Sequence, residues 1–595
     1  MPANKKRTPL KGHREELKEK TLPELLQRSV TRFGDRPAVG YAGREATTYS
    51  ELEAKISKVA SFLKENGIEE GDRVAILSEN SPNWVAAYFG ITSIKAIAVP
   101  VLNDFHPTEI HHILRHSDSS ALFVSERLYH KVEEFDLGGL NAVILMDNLS
   151  VISPEWSKDR LRRLYAEGSR ELKRIKHMAL QKVGLASQDV PEDAPASIIY
   201  TSGTTGHSKG VVLTHGNIVK NAIGLDKIVD VGYTDRLLSI LPLAHVYECT
   251  VGLAMPMMIG ASVYYVEKPP TPPVLLPALQ QVRPTVMLSV PLIIEKMYKN
   301  RILPEIRKKR LVRATYKVAA FRKLIHRKAG RKLMDVFGGE LRMFPIGGAS
   351  IAPEVERFMR EAGFPYAVGY GLTETAPILT GSNETETRLY SVGKPLEGVE
   401  VRIDPNIRNE EMGGEPAIRE TGSFMGEVGE IQVRGTGVMK EYYKDPERTA
   451  GSFTDDGWFR TGDLGSFDKD GFLYIRGRLK NMILGASGEN IYPEAIESVL
   501  MRSDYVLESL VFMQNRKLVA RVHLNYEKLD EDLSARGMTE TEIGQFIKKL
   551  LVSIRDEANA NLASFSKISE IIEQTEPFEK TPTHKIKRYL YVSDG

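Results

Sequence analysis

The sequence predicts an α/β protein: a large N-terminal domain of mainly parallel sheets, a small β-rich subdomain, and a small α+β C-terminal domain. Three observations predict it. Short apolar runs alternate with helix-length segments through the first 350 residues, as they do when parallel strands are covered by helices. After residue 390, strands with close Gly and Asp punctuation follow one another. Beyond residue 480 a hairpin, an amphipathic helix and a last strand form a separate group.

The elements fall in this order. VAIL at 74–77 follows the turn Gly71-Asp72, a helix is expected over 83–94, and IAVPV at 97–101 is the next strand. ALFVS at 121–125, AVILMD at 142–147, ASIIY at 196–200, DRLLSIL at 235–241, ASVYYV at 261–266, PTVMLSV at 284–290 and LRMFPIG at 341–347 continue the series. VEVRID at 399–404, GEIQVRG at 429–435 and GFLYIRGR at 471–478 read as small antiparallel sheets. Residues 506–524 read as a hairpin, 541–562 as an amphipathic helix and 568–578 as a strand.

Composition narrows the function classes. The 595 residues suffice for several cores, and 42% hydrophobic with 27% charged excludes a disordered, collagen-like or fibrous chain. Lys and Arg number 80 against 78 Asp and Glu, so the net charge of +2 gives no sign of a nucleic-acid binder. A single cysteine, Cys249, excludes a disulfide framework and a Cys-rich zinc site, and points to the cytoplasm. The first 20 residues form a charged tail without the apolar stretch of a signal peptide. The longest uncharged run, 18 residues at 249–266, is broken by Gly252, Pro256 and Gly260, so a short helix and a buried strand are expected there rather than a span.

Charge is uneven along the chain. Residues 296–332 hold 15 Lys or Arg and one acid, Glu305, a net of +14 that leaves −12 for the remainder. Leu311, Ala314, Val318, Phe321, Ile325 and Ala329 recur at helical spacing, predicting one apolar face bordered by basic residues. Such a helix either packs on the core with a solvated basic face or lies on an anionic membrane. His112 and His116 have the i, i+4 spacing of a helical metal pair, but no third ligand stands near, and they are expected on a helix surface.

The strongest motif is YTSGTTGHSKG at 200–210, between a strand and VVLTHG. Gly203, Gly206 and Gly210 permit tight turns with N–H groups aimed at an anion. Thr201, Ser202, Thr204 and Thr205 add hydroxyls and Lys209 a cation, which together make a triphosphate cradle. It is not the P-loop GxxxxGK[ST], whose Gly-to-Lys spacing differs.

YTSGTTGxxKG resembles the signature of the adenylate-forming (AMP-binding) superfamily: acyl- and aryl-CoA synthetases, peptide-synthetase adenylation domains and beetle luciferases. The resemblance runs from about residue 22 to 592, with Ser208 in the place usually held by proline. It implies an AMP-binding domain over 21–478 and a mobile C-terminal domain over 479–595, hinged near Lys480. By resemblance, LPLAHVYE places His245 beside the carboxylate and phosphate, and GGAS lays Gly347, Gly348 and Ala349 against adenine. GYGLTETAP then supplies Tyr370 and Gly371 at adenine, Thr373 at phosphate and Glu374 as a Mg²⁺ ligand, with Thr201 as a second metal oxygen. Asp463 in GWFRTGDLG holds the ribose hydroxyls, and GRLKNMI supplies Arg478 and the pivot Lys480. Gly485 and Gly488 leave room for a pantetheine arm. KTPTHKIKRYL carries the catalytic Lys585, preceded by His584 where glycine is common.

The resemblance is strongest to long-chain fatty acyl-CoA synthetases. It implies that a fatty acid and ATP form an acyl-adenylate, which CoA converts to acyl-CoA with release of AMP. The alternatives are transfer to acyl carrier protein, a different carboxylic acid, luciferase-type oxidation of the adenylate, and an inactive lipid-binding protein on a membrane. Retention of Lys209, Thr373, Glu374, Asp463 and Lys585 argues against the last. The expected location is cytoplasmic, with 296–332 available to the inner face of a membrane.

Overall fold

The computed structural model describes residues 17, 20–152, 189–201, 208–308, 315–316, 318–405, 426–484, 490–515, 517–534, 540–562, 566–581 and 585–592. Its largest sheet has the order Glu441–Tyr442, Lys209–Thr214, Pro195–Thr201, Ile97–Pro100, Arg73–Leu77, Ser119–Val124, Ala142–Leu145, Ser150–Ile152. The five strands from Pro195–Thr201 to Ala142–Leu145 run parallel, and antiparallel strands close both sides. Alternation sorts their side chains into two cores: Val74, Ile76 and Ala98 face one, Ala75, Leu77 and Val99 the other. The helix Pro82–Ser93, capped by Ser81, is buried along most of its length against this sheet, which explains its lack of an amphipathic pattern.

A second sheet aligns Arg236–Leu238, Ser262–Tyr265 and Pro37–Tyr41 in parallel, with Thr47–Thr48 antiparallel at its edge. Its two N-terminal strands are not among those expected from the apolar runs. A third runs Phe344–Ile346, Tyr366–Gly371, Ile378–Gly381, Lys394–Pro395. The expected strand at 284–290 is only a series of isolated bridges, Val286 to Leu237 and Met343, and Ser289 to Ile346. It runs irregularly between the second and third sheets, so its apolar residues are buried without a regular ladder.

The β-rich part is an antiparallel sheet of Val399–Asp404, Gly429–Gly435, Phe459–Phe467 and Leu473–Arg478. At the C-terminal end, Val506–Gln514 and Lys517–Leu524 form the expected hairpin. The last strand is shorter than expected, Glu570–Glu573, and pairs parallel to the hairpin. The helix Glu540–Asn559 packs there on its own small core with Leu551, Ile554 and Ala558. Residues 249–266 form a helix and a strand as expected, although the helix begins with a π segment, Glu248–Ala254, before Met255–Ile259. No helix among the described residues is long and apolar enough to cross a membrane.

The basic segment departs from the predicted single apolar stripe. Leu311 and Ala314 lie outside the described residues. Val318 precedes the helix Ala319–Val336, and both it and Phe321 are exposed at 52%. The buried face is instead set by Gly330, His326 and Leu333. The reason is close helix packing: a Cβ on Gly330 would lie 2.8 Å from the Cβ of Ala362. Glu361 then binds both Arg322, at 2.7 Å, and His326, at 2.9 Å. Phe321 and Leu324 are left facing water among Lys323, Arg327, Lys328 and Arg331.

Candidate active site

Strands Pro195–Thr201 and Lys209–Thr214 are antiparallel, which sets Thr201 opposite Lys209. Ser202, Gly203, Thr204, Thr205 and Gly206 lie outside the described residues. The flanking residues show where the segment is anchored. Lys209 Nζ donates to Glu374 Oε1 at 2.7 Å and to the Tyr442 hydroxyl at 2.8 Å. Tyr442 donates to the same Oε1 at 2.9 Å, and the ammonium stands 4.3 Å from the Tyr442 ring centroid. Burial alone pushes the Glu374 carboxyl up, but Lys209 and Tyr442 outweigh it and hold the group below its ordinary value.

Glu374 owes its position to a tight reversal after Tyr366–Gly371. Leu372 N–H donates to the Pro377 carbonyl at 3.0 Å, and Thr375 Oγ1 donates to the same carbonyl at 2.7 Å. A Cβ on Gly371 would lie 1.7 Å from that carbonyl oxygen, so the reversal requires glycine there. Thr373 is half-buried at the start of the turn Thr373–Thr375. Tyr442 is a site residue that no motif singles out. It reaches Glu374 because Lys440 and Tyr443 N–H groups pair with the Val212 and Gly210 carbonyls. No spacing in the sequence signals that pairing.

A second carboxylate organises the other half. Asp463 is 4% exposed. Its Oδ2 accepts from the Tyr370 hydroxyl at 2.8 Å, and its Oδ1 forms an ion pair with Arg478 Nε at 2.9 Å. The antiparallel register of Phe459–Phe467 and Leu473–Arg478 sets Asp463 directly opposite Arg478. Burial raises its pKa, opposed by Arg478 and Tyr370. One accepted hydrogen bond and one ion pair leave carboxylate lone pairs for further donors.

Lys585 is tied to Thr581, whose N–H donates to the Lys585 carbonyl at 2.8 Å. Lys585 is an exposed residue, so its charge is partly screened. Desolvation by neighbouring protein lowers its pKa, as does Arg478, while Asp463 and Glu374 act the other way. Lys480 is pulled down to about 8, first by burial and then by Arg478 and Lys209. Lys209, Arg478, Lys480 and Lys585 thus gather around Glu374 and Asp463, a surplus of positive charge suited to a polyanion.

His245 is half-buried on the loop before the π segment. Burial pulls it down to about 4, with Lys585 adding to the effect. Its Nδ1 accepts from Tyr247 N–H at 3.2 Å, which assigns the neutral ring proton to Nε2. Gly347 packs on the Tyr247 ring, where a Cβ would lie 3.2 Å from Cζ, and Gly348 takes a left-handed φ of +87°. Gly348 and Ala349 are exposed.

Beside Tyr247 and Gly369 lies an apolar cavity, also lined by Val251, Met255, Leu288 and Ile378, with about 50 Å³ of free volume. Tyr247 is two residues from His245 and Gly369 is next to Tyr370, so the cavity adjoins the charged cluster. Thr201 Oγ1 is buried and has no hydrogen-bond partner among the described residues. Opposite Lys209, which holds Glu374, it offers the hard oxygen chemistry that Mg²⁺ takes. The His112 and His116 rings lie tilted with centroids 5.4 Å apart, and His116 Nδ1 shares a 2.7 Å hydrogen bond with Tyr200. No group of three or more His, Cys, Asp or Glu side chains among the described residues could hold a metal. Gly485, Gly488 and His584 are outside the described residues.

Comparison with known proteins places the chain among relatives of known activity. Residues 26–443 match the AMP-binding enzyme family. The chain is 29% identical to the peroxisomal long chain acyl-CoA synthetase 6 of Arabidopsis thaliana, over 96% of this chain and 84% of that protein. It is 31% identical to the long-chain-fatty-acid–CoA ligase FadD15 of Mycobacterium tuberculosis, over 78% and 74%. The fold matches the anthranilate CoA ligase AuaEII in complex with anthranoyl-AMP, with a TM-score of 0.72 and 22% identity over 96% of each chain. With a family match across more than two thirds of its length, and acyl-CoA synthetases among its relatives, the chain belongs to the AMP-binding enzyme family as an acyl-CoA ligase.

Proposed function

We propose that the protein is an AMP-forming long-chain-fatty-acid–CoA ligase. The observation that carries the reading is the adjacency of the cationic cluster and the apolar cavity: one suits a nucleotide polyphosphate, the other a hydrocarbon tail. At about 50 Å³ of free volume the cavity is narrow. A long chain has to displace side chains such as Met255, whose flexible thioether suits that role. The relatives named as long-chain synthetases support the same substrate class.

In the first half-reaction a carboxylate oxygen attacks the α-phosphorus of ATP, forming acyl-AMP and releasing pyrophosphate. The task is charge neutralisation and alignment rather than proton transfer. Lys585 contacts the carboxylate and α-phosphate oxygens, and His245, neutral with its proton on Nε2, borders the same carboxylate. Lys209, Ser202, Gly203, Thr204, Thr205, Gly206 and Thr373 hold the β- and γ-phosphates. Gly347, Gly348, Ala349, Tyr370 and Gly371 frame adenine, and Asp463 with Arg478 takes the ribose. Glu374 and Thr201 would hold Mg²⁺, which neutralises phosphate charge when bound. In the second half-reaction the CoA sulfur attacks the acyl carbonyl and AMP leaves. The C-terminal domain over 479–595 turns about Lys480, withdrawing Lys585.

The test is pyrophosphate release from ATP and Mg²⁺ with acids from acetate to C18, with and without CoA. Release confined to long acids, with a CoA-dependent thioester, supports the proposal. Release with short or aromatic acids overturns the substrate class. Adenylation without CoA turnover points to acyl carrier protein.

The outward face of the helix Ala319–Val336 favours peripheral attachment of a cytoplasmic protein to an anionic membrane. Phe321 and Leu324, 52% and 64% exposed, lie among four cations, so apolar insertion and charge attraction act at one surface. Sedimentation with phosphatidylglycerol vesicles but not phosphatidylcholine vesicles is expected, and Phe321→Ser/Leu324→Ser should weaken it. Equal recovery with both lipids removes this reading.

A further inference from the structure

We propose that Asn80, Ser239 and Glu248 form a clasp that positions His245 at the reacting carboxylate. The inference rests on the adenylating function above and adds three residues that its chemistry does not otherwise use. They come from three places in the fold: the segment after strand Arg73–Leu77, the segment after strand Arg236–Leu238, and the start of the π segment Glu248–Ala254.

Together they close the loop that carries His245. Ser239 Oγ donates to Glu248 Oε1 at 2.5 Å, joining the two ends of that loop. Asn80 fills its interior and uses both ends of its amide. Its Nδ2 donates to Ser239 Oγ at 3.0 Å and to the Leu241 carbonyl at 2.6 Å. Its Oδ1 accepts from Leu243 N–H at 2.8 Å. Ser239 is itself fixed to the second sheet through its N–H and the Tyr264 carbonyl, at 2.8 Å. His245 then continues the chain of contacts: its N–H reaches the Pro242 carbonyl at 2.9 Å, and its carbonyl accepts from Cys249 N–H at 3.0 Å. Rotation of the loop therefore breaks several bonds at once, so the clasp holds the backbone that carries His245, whose ring Nδ1 accepts from Tyr247 N–H.

Glu248 suits this role only as a neutral acid. It is 1% exposed, with Tyr247, Cys249 and Tyr265 as its titratable neighbours and Ser239 as its hydrogen-bond partner. Its Oε2 is buried and without a hydrogen-bond partner among the described residues, an arrangement costly for a charged carboxylate. The carboxyl lies over Gly252, where a Cβ would stand 2.7 Å away, so the π segment leaves room for it.

The test uses the full chain carrying Asn80→Ala, Ser239→Ala, Glu248→Gln or Glu248→Leu, each alone and with His245→Ala. ATP–pyrophosphate exchange reads kcat and both KM values, and thermal melting separates loss of fold. Asn80→Ala and Ser239→Ala are expected to lower kcat about tenfold, with the KM for ATP within about twofold of the parent. Glu248→Gln should restore most of what Glu248→Leu loses. On the His245→Ala background, Asn80→Ala should cost less than about twofold, because its effect runs through the missing ring. Multiplicative losses there, or an unchanged kcat in the single variants, overturn the clasp. A second readout is independent of activity: ¹⁵N-histidine NMR. Asn80→Ala or Ser239→Ala should replace the single neutral Nε2–H signature of His245 with a mixture, and an unchanged signal overturns the proposal. If the parent enzyme adenylates no acid, the functional reading fails, while the NMR result still decides whether the clasp orders His245.

Discussion

Lys209 and Glu374, 165 residues apart in the chain, meet at 2.7 Å and share the Tyr442 hydroxyl as a third member. The glutamate arrives on a reversal after one sheet and the lysine on a strand of another, so the pair joins two layers of the N-terminal domain. Under the proposed function, an incoming phosphate would compete with Glu374 for the same ammonium, and the pair would hold the lysine in place before nucleotide binds.

Removing the lysine tests this arrangement. Lys209→Ala leaves Glu374 nearly buried beside a single phenol. The side chains are 25% and 11% exposed, so the stability cost should be about 1–3 kcal/mol, below that of a fully buried pair. Pyrophosphate release should fall about 100-fold or more. Denaturant titration and the exchange assay check the two parts, and wild-type exchange rates would refute the assignment.

Asp463→Asn keeps the size of the side chain but replaces a charged acceptor. Hydrogen bonds to charged groups contribute about 1.5–3 kcal/mol, so the KM for ATP should rise about 10- to 100-fold. The KM for the acid should change little, because Asp463 faces Tyr370 and Arg478 rather than the apolar cavity. An equal rise in both would contradict a ribose-specific role.

Lys585→Ala should nearly abolish adenylate formation. Thioester formation from chemically prepared acyl-AMP should be much less affected, because the proposed cycle withdraws the lysine in that step. Single-turnover measurement of each half-reaction decides, and equal losses refute the two-position account.

Glu248 predicts a pH-dependent stability. Burial pushes its carboxyl from an ordinary 4.5 to about 8. The folded protein keeps this proton where the unfolded chain has lost it. The contribution is complete below pH 4.5 and is lost progressively as pH rises to about 8. Glu248→Gln carries no such penalty. Its melting temperature relative to the parent should climb across that window and level off above it, and a pH-independent difference would contradict the buried neutral acid.

Val251→Phe should narrow the apolar cavity, whose free volume is only about 50 Å³. Activity with C16 acids should fall more than with C8 acids, at a stability cost of about 1–3 kcal/mol for overpacking. An unchanged chain-length profile would place the acyl chain elsewhere.

Much of this architecture is legible in the amino-acid sequence. The parallel runs at 74–77, 97–100 and 121–124 stand out because burial on both faces makes them apolar throughout. The motif order also nominates Lys209, Glu374, Asp463, Arg478 and Lys585, all of which enter one electrostatic cluster. Periodicity misleads at Phe321, because helical spacing identifies an apolar stripe without saying which side of it meets the core. The close approach of Gly330 to Ala362 makes that choice.

The succession of strands and helices, the chemistry of the signature segment and the assignment to the adenylate-forming enzymes follow from local periodicity and short runs of neighbouring residues. The folded chain alone brings Tyr442 to Lys209 and Glu374, sets Tyr370 and Arg478 at Asp463, and puts Asn80 into the loop of His245. Each of those bonds needs a directional contact of about 3 Å between atoms on separate elements. Strand register and layer packing set such contacts, and no spacing along the chain encodes them.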